Sequence, residues 1–374
     1  MSVARDQLAA IRALPLSGPV RIMNVCGGHE RTISMAGLRT ALPNDIRLIP
    51  GPGCPVCICP EEDIYQAIRL ALDERVVLAS FGDMLRVPVN VPRSAVRSLD
   101  QARAAGGEVR PIASPRDAVR IAREHPGRPV VFHAVGFETT LGPIAAMIEE
   151  GLPDNLSLLV SGRLTWPAVA MLLESEQPGF DALIAPGHVS TLMGPEEWTF
   201  VPEHHGLPTA VAGFTPESIV AATLSVLTQR LEGRAVLDNC YSAARPGGNT
   251  VARAALERCF DIVPAIWRGI GSIPGSGFAL KPHLAAHDAR RRFPGYADEA
   301  RRNAGAMPPG CDCARVVLGK ILPPECRIYG SPCTPRTPVG PCMVSDEGAC
   351  RIWWSSGIRE RSAERRADAP AAPA

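Results

Sequence analysis

The 374-residue sequence predicts an α/β fold: two parallel-sheet α/β domains, followed by a C-terminal irregular and helical region rich in cysteine. Three observations predict it. Short apolar runs alternate with amphipathic helical patterns through the first two-thirds of the chain, as parallel sheets with crossover helices require. Several of the helical patterns carry explicit start signals. After about Gly233 the strand signals fade, and loops carrying Gly, Pro and Cys take over.

The expected strands are Val20–Val25, Arg47–Ile49, Val76–Ser80, Val109–Ile112, Pro129–Ala134, Ser157–Val160, Ala182–Ala185 and Thr209–Ala212. Ser114-Pro115 ahead of Arg116–Glu124, and Thr215-Pro216 ahead of Glu217–Leu231, each supply an N-cap followed by proline at the first helical position. Pro60-Glu61-Glu62-Asp63 opens another helix, with acidic side chains at its positive dipole end. A break is expected near Glu124–Arg128. The domains are then 1–125, 126–234 and 235–358, with a charged and Ala/Pro-rich tail at 359–374 expected to be disordered. No internal repeat argues for a solenoid.

Composition excludes some classes of function. Lys and Arg number 39 against 38 Asp and Glu, a net charge of +1, which gives no electrostatic case for nucleic acid or an anionic membrane. No run of about 18 uncharged apolar residues is present. Arg5, Asp6 and Arg12 break the N-terminal apolar pattern, so no signal peptide is expected. The expectation is a cytoplasmic protein with reduced thiols, where cysteine clusters point to metal or catalysis rather than structural disulfides.

Twelve cysteines fall into two groups and a remainder. Cys26, Cys54, Cys57 and Cys59 lie in Gly- and Pro-rich turns near the N-terminus. Cys311, Cys313, Cys326, Cys333, Cys342 and Cys350 crowd into the last fifth, and Cys240 and Cys259 stand apart. Cys26-Gly27-Gly28-His29 follows a strand and opens a helix, where the carboxyl end of a parallel strand meets a helix N-terminus. That position favours a thiolate able to bind metal or act as a nucleophile; a buried cysteine in a tight turn is the plainer reading. Cys54-Pro55-Val56-Cys57 also opens a helix. Zinc would need two further ligands and no second C-x-x-C occurs, so a redox or thiol-exchange pair is favoured. Cys59 falls outside that pair.

Cys311, Cys326, Cys333 and Cys350 are spaced C-x14-C-x6-C-x16-C in irregular sequence. Four loop thiolates suit an iron–sulfur cluster, with structural zinc competing and Cys313 and Cys342 as surplus candidates. Gly136–Thr140 and Pro186–Ser190 also follow strands and place Glu138 and His188 at sheet ends. No phosphate loop, G-x-S-x-G elbow or dinucleotide fingerprint is present.

Together CGGHE (Cys26–Glu30), GPGCPVC (Gly51–Cys57), FGDMLRVP (Phe81–Pro88), GFETT (Gly136–Thr140), PGHVS (Pro186–Ser190), WRGIGSIPGSG (Trp267–Gly277) and CTPRTPVGPCMVSDEGAC (Cys333–Cys350) resemble the HypD family of hydrogenase maturation factors, in family order. The resemblance implies two related α/β domains and a third carrying a [4Fe–4S] cluster on Cys311, Cys326, Cys333 and Cys350. It implies a scaffold for the iron of [NiFe] hydrogenase, which acquires two cyanides and one carbon monoxide. A HypC-type small chaperone and a HypE-type cyanide donor are the implied partners. Cys26 and His29 match the iron-site loop and Cys54 and Cys57 the redox pair, while Glu138 would orient or protonate a group in the cleft. The alternative is a cluster-dependent thiol/disulfide oxidoreductase acting on a small substrate; a zinc-stabilised binding protein is the third reading.

Three segments depart from the family pattern. Glu30-Arg31 stands where the family continues with Thr-His, Gly162-Arg163 where it has a His-Lys pair, and Gly247-Gly248-Asn249 where it has E-G-N.

Overall fold

The computed structural model describes residues 2–92, 94–176, 178–296 and 307–359. All eight expected strands form, with ends displaced by at most two residues: β1 (Val20–Asn24), β2 (Ile46–Pro50), β3 (Val77–Phe81), β4 (Val109–Ile112), β5 (Val130–Gly136), β6 (Leu156–Gly162), β7 (Ala182–Pro186) and β8 (Thr209–Ala212). β5 and β6 are buried at every position, as expected of parallel strands covered on both faces. Ser114 caps helix Pro115–Glu124 in a capping box with Asp117, and the Thr215 hydroxyl accepts the Ser218 N–H at 3.2 Å. The expected tail at 359–374 lies, except for Arg359, outside the described residues.

Three further strands follow Gly233, where none was expected: β9 (Leu237–Cys240), β10 (Phe260–Trp267) and β11 (Gly271–Leu280). β10 and β11 form an antiparallel hairpin with a register shift between Val263 and Ala265. Pro264 sits in that irregularity and β11 carries three glycines and a proline, so the pair reads as loop in sequence.

The division into sheets does not follow the break expected near 124–128. One parallel sheet has the order β2-β1-β7-β8-β9 and the other β4-β3-β5-β6. The chain leaves the first sheet after β2, builds the whole of the second, and returns with β7. Periodicity within a strand does not encode its partner, so sequence order alone does not reveal which sheet a strand joins. In each sheet the strand order reverses beside an early strand, between β1 and β7 and between β3 and β5. The crevice at the carboxyl ends of such strands is where open α/β sheets place their sites. Cys26 follows β1, Gly187-His188 follows β7, and Glu138 follows β5.

The C-terminal segment is short helices and turns, ending in helix Ala349–Ser355, which packs on helix Gly27–Met35. Among the described residues no helix is long and apolar enough to cross a membrane.

Candidate thiol-lined site

Two glycine turns bring the N-terminal cysteines together. Gly27 N–H donates to Gly53 O at 3.1 Å and Gly51 N–H to Asn24 O at 2.8 Å, zipping the turn after β1 to the turn after β2. A Cβ on Gly53 would lie 2.5 Å from the Cys26 backbone, and one on Gly27 would lie 2.5 Å from Glu347 Cβ. Only glycine permits both approaches. Cys54 caps helix Pro55–Ile58, its sulfur accepting the Cys57 N–H at 3.2 Å, and Cys54 and Cys57 are joined by a disulfide. Both are buried, at 4% and 1% exposure.

Cys26, Cys54, Cys342 and Glu347 line one small space with Asn24, Gly27 and Glu30. It holds about 10 Å³, room for one water molecule. The site therefore draws on β1, β2 and the C-terminal segment at once. Sequence reasoning missed Glu347 and left Cys342 unassigned; the only signal was their place in the SDEGAC and GPC portions of one motif.

Cys26 caps helix Gly27–Met35, as expected, but its thiol is not stabilised as a thiolate. Burial pushes it up to about 11 and the nearby Glu347 adds to this, while the N–H groups of His29 and Gly28 oppose it only in part. Loss of hydration outweighs the helix end here. Burial also raises Glu347 to about 7, helped by Asp83. His29 is fully buried and held near 4 by desolvation. It is therefore neutral at pH 7: Nε2–H donates to Ala212 O at 2.9 Å and Nδ1 has no partner. Phe214 packs between His29 and His188, stacking on His188 at 3.7 Å between centroids.

Glu138 does not join this site. It is fully buried and accepts the Thr165 N–H at 2.5 Å and the Thr165 hydroxyl at 2.7 Å, tying the start of its helix to the turn after β6. Gly162-Arg163 lies at the end of β6, where the Arg163 guanidinium donates to the carbonyls of Gly162 and Ile266.

The six C-terminal cysteines are neighbours in space. Cys311 feels Cys326, Cys333 and Cys342 electrostatically, and Cys342 hydrogen-bonds the thiols of Cys313 and Cys350. Backbone N–H groups reach three sulfurs: Asp312 to Cys326 at 3.5 Å, Val339 to Cys333 at 3.4 Å and Cys350 to Cys342 at 3.3 Å. Gly340 leaves room for Cys311, since a Cβ there would lie 2.3 Å from its sulfur. Among the described residues, no group of three or more His, Cys, Asp or Glu is arranged to hold a metal ion. Cys259 lies elsewhere, donating to Ala145 O.

Fold and site together define an α/β protein with a thiol-lined centre where the turns after β1 and β2 meet a cysteine-rich C-terminal segment. The family model described as "Hydrogenase formation hypA family", HypD, matches residues 2–357, and the chain belongs to this family. It is 40% identical over 360 residues to a hydrogenase maturation factor HypD2 of Bradyrhizobium diazoefficiens, covering 93% of this chain and 92% of that one. It is 40% identical over 354 residues to the HypD of Azotobacter vinelandii, covering 92% and 90%. A putative hydrogenase expression/formation protein of Methanocaldococcus jannaschii is 37% identical over 339 residues, covering 90% and 91%.

Proposed function

We propose that this protein is a hydrogenase maturation scaffold that, with a HypC-type partner, holds iron at Cys26 while its cyanide and carbon monoxide ligands are attached. The observation that carries the reading is the meeting of Cys26, Cys342 and Cys54 of the Cys54–Cys57 disulfide around one small space, in a chain of the HypD family. Iron is the cargo. A soft thiolate from Cys26, with a second from the partner, suits low-spin iron bearing strong-field ligands. The Cys26 thiol must lose its proton to bind, and a metal cation supplies the compensating charge that burial removes. Glu347, which lines the same space, is the base at hand on this chain.

The donor set of the C-terminal segment fits a [4Fe–4S] cluster. Cys311, Cys326 and Cys333 are soft thiols on irregular backbone, Cys350 stands in the first turn of helix Ala349–Ser355, and N–H groups point at sulfurs among them. Such a cluster supplies electrons one at a time. Helix Pro55–Ile58 packs on segment Pro341–Met343, so this chain sets the disulfide directly beside Cys342. The pair would accept electrons there and act as the redox pair of ligand attachment. A HypE-type protein delivering cyanide is the second partner of the reading.

Infrared spectroscopy of the anaerobic complex with a HypC-type partner tests it. Cyanide and carbonyl stretching bands are expected, together with iron and sulfide at about four each per chain. A complex with a full cluster and no such bands refutes the scaffold reading. Loss of function in Cys54→Ser with a silent Cys26→Ser selects the thiol/disulfide oxidoreductase instead.

A further inference from the structure

A cavity of about 260 Å³ opens where the β10–β11 hairpin meets the end of β6. Among the described residues, none lines both this cavity and the thiol-lined space. Its apolar walls come from Val160 of β6, Val263 and Ile266 of β10, and Phe278 and Leu280 of β11. Its charged residues are Asp63, Arg163, Asp288 and Arg290, and the proposed function uses none of them.

Arg163 is 5% exposed, yet its guanidinium has only neutral hydrogen-bond partners among the described residues. Nε and Nη2 donate to Ile266 O at 3.2 and 2.7 Å, and Nη1 donates to Gly162 O at 2.8 Å. Of the five N–H groups of a guanidinium, two are then left, one on each terminal nitrogen. A charge so deeply buried is ordinarily paired with an opposite one. Burial pushes this guanidinium below its ordinary value, and the charge of Asp63 opposes that only in part.

The neighbouring carboxylates are already engaged. Asp63 accepts the Arg290 Nη2–H at 2.6 Å on Oδ1 and the Ser161 hydroxyl at 2.6 Å on Oδ2. Asp288 accepts the backbone N–H of Arg290 at 2.9 Å and lies 3.7 Å from Arg291 Nε. Three guanidiniums, those of Arg163, Arg290 and Arg291, therefore share two carboxylates. The unmatched charge rests on the buried one, Arg163, which lines the cavity.

We propose that this cavity binds a small organic monocarboxylate, its oxygens on the two remaining N–H groups of Arg163 and its hydrocarbon body against the hairpin. A carboxylate accepts two parallel N–H groups of a guanidinium, and one excess positive charge matches a monoanion. Inorganic phosphate would bring more charge than the site balances and no apolar body for its walls. The volume lies just below the range of about 300–1,000 Å³ that holds drug-sized ligands, so a short acid suits it.

Saturation-transfer NMR on the full-length protein tests this with acetate, propionate and butyrate as ligands. Butyramide, the neutral isostere of butyrate, and inorganic phosphate are added as competitors. Saturable binding is expected, tighter by about fourfold for each methylene from acetate to butyrate as it enters apolar surroundings. Butyramide and phosphate should each bind about tenfold or more weaker than butyrate, for want of the charge-assisted pair or of the apolar body. Arg163→Gln keeps a donor for Ile266 O but no charge, and should lower butyrate affinity about tenfold or more with an unchanged far-ultraviolet circular dichroism spectrum. Butyramide competing as well as butyrate overturns the anion site on the wild-type protein alone, whatever the variant does. Phosphate displacing butyrate with the higher affinity overturns the carboxylate class. Unchanged butyrate affinity in folded Arg163→Gln, or no saturable binding of any of the three acids, overturns the site.

Discussion

Trp353 donates its indole N–H to the buried carboxylate of Glu30 at 2.5 Å, joining residues 323 positions apart in the chain. Arg39 binds the same carboxylate through Nη2 at 2.7 and 2.8 Å, and the Asn24 amide donates to it at 3.0 Å. The Arg39 guanidinium also lies over the Trp353 ring, 4.6 Å from its centroid. Glu30 therefore anchors helix Ala349–Ser355 to the Cys26 turn. Its departure from the family pattern is a structural joint at the rim of the site.

Removing that joint has a graded cost. Glu30→Ala takes one acceptor from the partly exposed Arg39 guanidinium and the only acceptor from the Trp353 indole N–H, and is expected to destabilise the fold by about 2–3 kcal/mol. Trp353→Phe deletes one donor and should cost about 1–3 kcal/mol. Urea unfolding checks both, and equal stability of Glu30→Ala and wild type would show that the carboxylate is dispensable.

Gly53→Ala is expected to force the two thiol turns apart, because the new Cβ meets the Cys26 backbone at 2.5 Å. Backbone cannot yield as a side-chain tip does, so a loss of about 1–3 kcal/mol is expected. The disulfide turn and Cys26 would no longer share their small space. Partner-dependent iron uptake should therefore fall while cluster content is unchanged, as measured by metal analysis with and without a HypC-type partner.

The strands were legible because β5 and β6 are mainly apolar runs, broken only by His133, Ser157 and Ser161, and the helices between strands carry Ser-Pro and Thr-Pro starts. The sheet partners were not. Nothing within β1 or β7 states that they lie side by side, and only the folded chain shows that Cys26 sits where strand order reverses. The cysteines of the site were all visible in sequence. Glu347 was not singled out, since its approach to Cys26 depends on Gly27 lacking a side chain. Glu138, a carboxylate at another strand end, lies apart from the space at Cys26 in the interior, where Thr165 meets both of its oxygens.

The six C-terminal thiols differ in the role proposed for them, and single substitutions separate those roles. Serine at Cys311, Cys326, Cys333 or Cys350 should lower iron and sulfide content severalfold in anaerobically purified protein. Cys313→Ser should retain both, and Cys259→Ser, in a separate core, serves as the control. Undiminished iron and sulfide in Cys326→Ser would assign the ligand set differently.

Glu138 should make stability depend on pH near neutrality. Burial raises its carboxyl from the usual 4.5 to about 7 against the opposing hydrogen bonds from Thr165. Glu197, itself raised by burial and by the charge of Glu138, has a buried Oε2 without a partner and is opposed only by Arg253. Between about 4.5 and 7 the folded chain keeps a proton at Glu138 that the unfolded chain releases. The unfolded state therefore binds fewer protons, and stability falls as pH rises through that window. The contribution is complete below 4.5 and lost above about 7. Glu138→Gln carries no titrating proton while an amide oxygen still accepts the Thr165 N–H. Its urea-unfolding free energy should vary less between pH 5 and pH 8 than that of the wild type, with the two curves converging at acid pH. Parallel curves would place the titration elsewhere in the chain.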